Sequence, residues 1–218
     1  MRTAEIMLGT AIAFVVALAV LPARAHDLAL RAAREALGPV GEQAALLLGD
    51  LSSVPEPGRV QALHDRIRAA AERAETSAQE AARERSSRVS DAPDPEPVVR
   101  ALRRLWHDLV MVARLRVAPL PEAVAARLSP PAAALAETVR GFLGDAAAAL
   151  GRGHAMPPVA DVADAVAAYR EATTALRREG VLRELPGEAV EQVYGLAFAL
   201  EQFARNLGEF QARAAEFA

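Results

Sequence analysis

Four histidines, His26, His64, His107 and His154, are the side chains whose ordinary pKa lies nearest neutrality. Within the central helical patterns, His64-Asp65 and His107-Asp108 each set a carboxylate beside a histidine. Sequence neighbours on a helix do not face one another, so neither pair is a ready proton-transfer dyad. A helical metal site wants ligands at i, i+3 or i+4, but four residues on from His64 stands Arg68, and four on from His107 stands Met111. All four histidines are expected at the surface or at the edge of a core. There is no Cys, hence no disulfide scaffold, thiolate metal site or cysteine nucleophile. There is no Lys, hence no Walker-type phosphate loop, and no Gly-x-Ser-x-Gly elbow occurs. The pairs Arg103-Arg104 and Arg177-Arg178 could meet an anion or a lipid headgroup, although such pairs are more often solvated helix faces. We keep Arg103 and Arg104 as the candidate anion contact. Trp106, one turn from Leu102 and Val110, is expected in a core or an interface. No catalytic residue, metal or cofactor is expected, and the chain does not read as an enzyme.

The elements that position these residues follow from composition. Of 218 residues, 52% are hydrophobic and only 4% aromatic, about a quarter are Ala, and every basic residue is Arg. Strands favour aromatic and β-branched residues, whereas Ala, Leu, Arg and Glu favour helix, so the expected class is all-α. A net charge of −3 without a clustered basic face gives no footprint for nucleic acid.

Ile6 to Leu21 is a run of 16 uncharged residues, roughly 24 Å of helix, against a hydrocarbon core about 30 Å thick. Extended to residues 3–22 it is a short membrane span. Gly9, Ala13 and Ala17 recur every fourth residue and would let a second membrane helix approach closely. Arg24, Arg31 and Arg34 follow the run and Arg2 precedes it, which puts the C-terminal side in the cytoplasm. The competing reading is a secretory signal peptide, with Ala23-Arg24-Ala25 as the cleavage motif and His26 as the new N-terminus.

Beyond Pro22 the pattern stays helical. Residues 23–49 read as a helix broken at Gly38-Pro39. The loop around Pro55-Glu56-Pro57-Gly58 precedes a helix over 59–85 with Val60, Leu63, Ile67, Ala70, Ala74 and Ala81 as its apolar stripe; its charged outer half, residues 71–85, is expected to be solvated or loosely packed. Residues 86–97 read as a flexible linker. In the helix over 97–117, Val98, Leu102, Leu105, Leu109 and Val112 form a seam. A short helical turn over 122–128 is expected to stop before Ser129-Pro130, which reads as the N-cap and first residue of a new helix over 130–150. Further helices are expected over 159–179 and 187–217. The last holds Val193, Leu196, Leu200, Phe203, Leu207, Phe210, Ala214 and Phe217 in one register, which must be buried against something. Burial in the chain's own core is the commoner arrangement, and a dimer interface is the other.

Three stretches together resemble the FUSC family of inner-membrane proteins, which includes fusaric acid resistance and aromatic acid exporter-like members. They are EIMLGTAIAFVVALAVLPARA at 5–25, RRLWHDLVMVAR at 103–114 with Pro119-Leu120-Pro121 after it, and YGLAFALEQFARNLGEF at 194–210. Their order and spacing also fit, and the motifs are mostly apolar. The resemblance implies a last membrane helix that crosses into the cytoplasm and continues into a helical domain. The chain departs from the family in lacking the earlier membrane helices, so it is expected to be the final helix plus soluble domain of a longer protein, or a truncated frame. No substrate-binding residue carries over.

The expectation is therefore an all-α protein, with a membrane helix and its exit over 1–25 and an elongated cytoplasmic helical bundle over 26–218. Its expected partners are the lipid bilayer, other transmembrane helices and further copies of itself. Its expected role is as a component of an efflux permease for aromatic or other organic acids. The alternative is a secreted or periplasmic helical-bundle binding protein matured at Ala25.

Overall fold

The computed structural model describes residues 24–87 and 91–218. Among them there are six α-helices and no strand: α1 Arg24–Leu48, α2 Pro57–Ser86, α3 Glu96–Leu115, α4 Glu122–Ala149, α5 Ala160–Arg178 and α6 Gly187–Ala214. Short 3-10 turns follow α5, at Val181–Glu184, and α6, at Ala215–Phe217. The proposed span over 3–22, with Gly9, Ala13 and Ala17, lies outside the described residues. Among the described residues no helix is long and apolar enough to cross a membrane.

Helices α1, α4, α5, α6 and α3 pack in that cyclic order around one core, and α2 lies across α1 and α3. Every residue of the α6 register is buried within this ring, as is the α3 seam from Val98 to Val112. The long apolar stripe of α6 thus closes inside the chain.

Helix α1 is the hub, touching α2, α3 and α4. Small residues make this possible. Ala29, Ala32, Ala33, Ala36 and Ala44 are all buried on it, and a Cβ placed on Gly41 would lie 3.4 Å from the Arg140 Cα of α4. Opposite α1, α2 contributes Ala70, Ala71, Ala74, Ala78 and Ala81, all buried. Ion pairs from Arg66 to Glu42 at 3.1 Å and from Arg73 to Glu35 at 3.0 Å flank this contact and fix it as antiparallel.

Four expectations need correction. The outer half of α2 is packed, because its alanines face α1 while its charged residues face solvent. Helix α1 runs unbroken through Gly38-Pro39. A helix-interior Pro costs about 3 kcal/mol, but Ala36, Leu37, Val40, Gln43 and Ala44 around it are all fully buried, and that packing outweighs the cost. Helix α4 likewise continues through Ser129, Pro130 and Pro131, held by Leu128, Ala132, Leu135 and Ala136 in the core. Finally, Ser86 belongs to α2 and Glu96-Pro97 to α3, so the connection is shorter than 86–97. Its end is tied down by Arg85 to Asp94 at 2.8 Å and by the Asp94 carboxylate accepting the Glu96 N–H at 3.0 Å.

Candidate functional site

The most built polar site lies where the α1–α2 and α3–α4 loops meet. The α3 seam steps from Leu105 to Leu109, Val112 and then Arg116, so its register carries an arginine into the core. Arg116 is 1% exposed. Its guanidinium donates to the backbone carbonyls of Leu47 at 3.0 Å, Asp50 and Ser53 at 2.6 Å each, and Leu51 and Ala118 at 3.4 Å each. A planar five-donor fork suits such a ring of acceptors, which a compact ammonium would not fill. Burial lowers the Arg116 pKa, and the nearby Asp50 charge works against that.

Asp50 turns its own carboxylate to the loop. It accepts from the Ser52 N–H at 2.8 Å, the Ser52 hydroxyl at 2.6 Å and the Ser53 hydroxyl at 2.6 Å. These bonds, with the Arg116 charge, bring its pKa down to about 2. The same loop is pinned twice more: Leu51 N–H donates to the Ser129 hydroxyl at 3.2 Å, and Leu51 carbonyl accepts from Leu120 N–H at 2.9 Å. Ser129 therefore serves another loop instead of capping a helix. From α6, Gln192 Nε2 donates to the Leu115 and Ala118 carbonyls at 2.7 and 2.8 Å.

Two further polar side chains are buried. The Tyr169 hydroxyl, on α5, has no hydrogen-bond partner among the described residues; burial raises its pKa, although the Arg116 charge pulls the other way. Gln43, on α1, is fully buried, and neither amide atom has a partner among the described residues. An arginine surrounded by carbonyls and closed off from solvent is a structural clamp; it offers neither a proton nor an approach path for substrate. The adjoining surface depression, about 540 Å³, mixes Glu42, Asp50 and Glu56 with Arg59 and Arg140 and gathers no acid–base pair at a shared point.

The residues singled out by sequence are dispersed. Arg103 pairs with Glu75 of α2 at 3.4 Å and Arg104 pairs with Glu209 of α6, all four side chains being partly exposed. Arg178 pairs with Glu171 at 3.1 Å. Trp106 packs against the core and its indole N–H donates to His64 Nδ1 at 3.3 Å. The His107 ring also packs near that indole, with ring centroids 5.0 Å apart, and its Nδ1 is 3.0 Å from the Arg103 carbonyl. His26 Nδ1 is 3.0 Å from the Pro93 carbonyl, and the ring packs on Phe217. Asp108 is half-buried on the α3–α6 contact and accepts from Asn206 at 2.6 Å; burial raises its pKa. Among the described residues no three His, Asp or Glu side chains come together as a metal site would require.

Sequence reasoning passed over Arg116, Asp50 and Gln192. The available signal was the α3 register, whose next step after Val112 falls on Arg116. No family model matches the chain, and no curated protein or solved structure matches it.

Proposed function

We propose that the chain is a membrane-tethered helical bundle acting as the cytoplasmic assembly or regulatory part of a FUSC-type efflux permease for aromatic or other organic acids. A single membrane helix cannot enclose a polar path through lipid, so transport itself would need further membrane helices, met through Gly9, Ala13 and Ala17. The observation that carries the tethered reading is the junction. The chain is already helical at Arg24, only Pro22 and Ala23 beyond the apolar run, and this helix is the hub of the bundle. Ala25, after which a signal peptidase would cut, is 4% exposed within α1, and the next residue, His26, is engaged with Pro93 and Phe217. The burial of Ala25 inside a helix that already begins at Arg24 favours a chain that keeps residues 1–25 over a periplasmic bundle that begins at His26. Met111, Tyr194 and Phe198, exposed on the neighbouring helices α3 and α6, give an assembly role apolar surface to work with.

The test is intact mass combined with alkaline carbonate extraction of membranes. The expected result is a chain retaining its first 25 residues in the carbonate-resistant pellet. A mass starting at His26, in a soluble fraction outside the cytosol, overturns the tethered reading in favour of the secreted one.

A further inference from the structure

The end of the bundle nearest Arg24 carries three arginines that no carboxylate among the described residues holds. Arg31 and Arg34 are one turn apart on α1, and Arg152 stands just past the C-terminus of α4. Arg34 donates from Nη1 to the Leu150 carbonyl at 3.3 Å, two residues before Arg152. The turn bearing Arg152 is fixed against α1. Gly151 has φ +67°, its Cβ position lies 3.4 Å from Leu30 Cδ1, and its N–H donates to the Phe217 carbonyl at 2.9 Å. Among the described residues none of the three arginines is in an ion pair. Glu35, next to Arg34 in sequence, is taken by Arg73 at 3.0 Å. Burial and the like charges of Arg152 and Arg31 lower the Arg34 pKa, and Glu35 offsets only part of this.

Like charges held together on a folded surface repel, and an anion seated among them relieves that repulsion. Guanidinium forks match phosphate oxygens in pairs. We propose that Arg31, Arg34 and Arg152 form a binding site for a phosphate-bearing anion, and that its occupant is the headgroup of an anionic phospholipid. The choice of a lipid rests on the tethered reading above. Arg31 lies only about 10 Å of helix beyond Arg24, so a span over 3–22 would hold the cluster beside the headgroups.

The experiment is calorimetric titration of the full chain in detergent with short-chain phosphatidylglycerol, short-chain phosphatidylcholine and inorganic phosphate. Phosphatidylglycerol is expected to bind, and R31Q/R34Q/R152Q to weaken it about 100-fold, at about fivefold per arginine. R31Q/R152Q keeps the Arg34–Leu150 bond, should the triple variant fail to fold, and is expected to weaken binding about 25-fold. R59Q/R170Q/R183Q removes equal charge elsewhere and is expected to change affinity by less than about twofold. Equal binding of phosphatidylcholine and phosphatidylglycerol, or an equal loss in the charge-matched variant, overturns the site. Inorganic phosphate binding as tightly as phosphatidylglycerol overturns the lipid assignment and leaves a free anion as the ligand. Because the ligands are soluble, the titration reads the site whether or not the first 25 residues remain, whereas failure of the tether shows in the intact mass.

Discussion

Replacing Arg116 by Met removes the guanidinium while keeping most of the buried stem. Three of its hydrogen bonds are short: Leu47 carbonyl at 3.0 Å, and Asp50 and Ser53 carbonyls at 2.6 Å each. A hydrogen bond to a charged group contributes about 1.5–3 kcal/mol, so these three amount to roughly 4.5–9 kcal/mol before any offset. Two offsets apply. The guanidinium no longer has to be desolvated, which is a penalty of several kcal/mol for a buried ion. The Asp50 and Ser53 carbonyls sit near the surface and regain water, and the Leu51 carbonyl keeps its bond from Leu120. The net expectation for Arg116→Met is a loss of about 3 kcal/mol, or about 6–12 °C in Tm for a chain of this size. Urea unfolding followed by circular dichroism gives the free energy. Hydrogen exchange locates it, and the Leu120 amide should lose protection well before amides in the middle of α6. A Met variant within 1 kcal/mol of the parent, with Leu120 protection unchanged, would refute the view that this side chain holds the two loops together.

Gln43→Met replaces a fully buried amide, which has no partner among the described residues, with an apolar chain of similar length. Stability is expected to rise by about 1–2 kcal/mol, since an unsatisfied buried polar group carries a desolvation cost of that order; a fall of more than 1 kcal/mol in urea unfolding would mean that the amide is satisfied by enclosed water. Asp50 is expected to contribute to acid sensitivity. Its folded pKa is depressed to about 2 from 3.8, so its stabilisation is present above about pH 4 and is lost as the pH falls toward 2. Asp50→Asn should therefore flatten the stability profile between about pH 4 and pH 2 while lowering the plateau at neutral pH. A parent-like slope in that window would rule out Asp50 as its source.

The sequence made the apolar registers of α3 to α6 legible because each places large residues every three or four positions. From Val98 to Val112 and from Val193 to Phe210, the residues expected inside are inside. Three features were not legible, for different reasons. Ala carries little surface, so although Ala70, Ala74 and Ala81 mark the apolar stripe of α2 and are buried, the outer half read as solvated or loosely packed until α1 supplied a matching alanine face. Pro39 and the Pro130-Pro131 pair are the strongest local breakers in the chain, yet the cost of one proline is smaller than that of exposing the fully buried side chains on either side. Arg116 was hidden by its residue type: the register pointed inward, but an arginine reads as surface unless a ring of carbonyls is known to wait for it. That ring comes from residues 47–53, more than sixty positions earlier in the chain.

The same separation decides what can be read of the arginines at the other end. Arg31 and Arg34 are visible in sequence as a charge bias after an apolar run, and the bias alone supports only an orientation. Arg152 sits beside them because α4 returns antiparallel to α1, bringing Gly151 onto Leu30 and the Leu150 carbonyl onto Arg34. The contrast with Arg116 is physical. Arg116 has a full set of carbonyl acceptors, and Asp50 lies near enough for its charge to act on the guanidinium, so it has no remaining demand for a ligand. Arg34 has one carbonyl at 3.3 Å and two like-charged neighbours, so its remaining donors are available to an anion. Both arginines are anchored to α1, through the Leu47 carbonyl at one end and the Arg34 backbone itself at the other. A ligand bound at the Arg34 end would therefore act on the helix that the Arg116 clamp fixes some 20 Å of helix away.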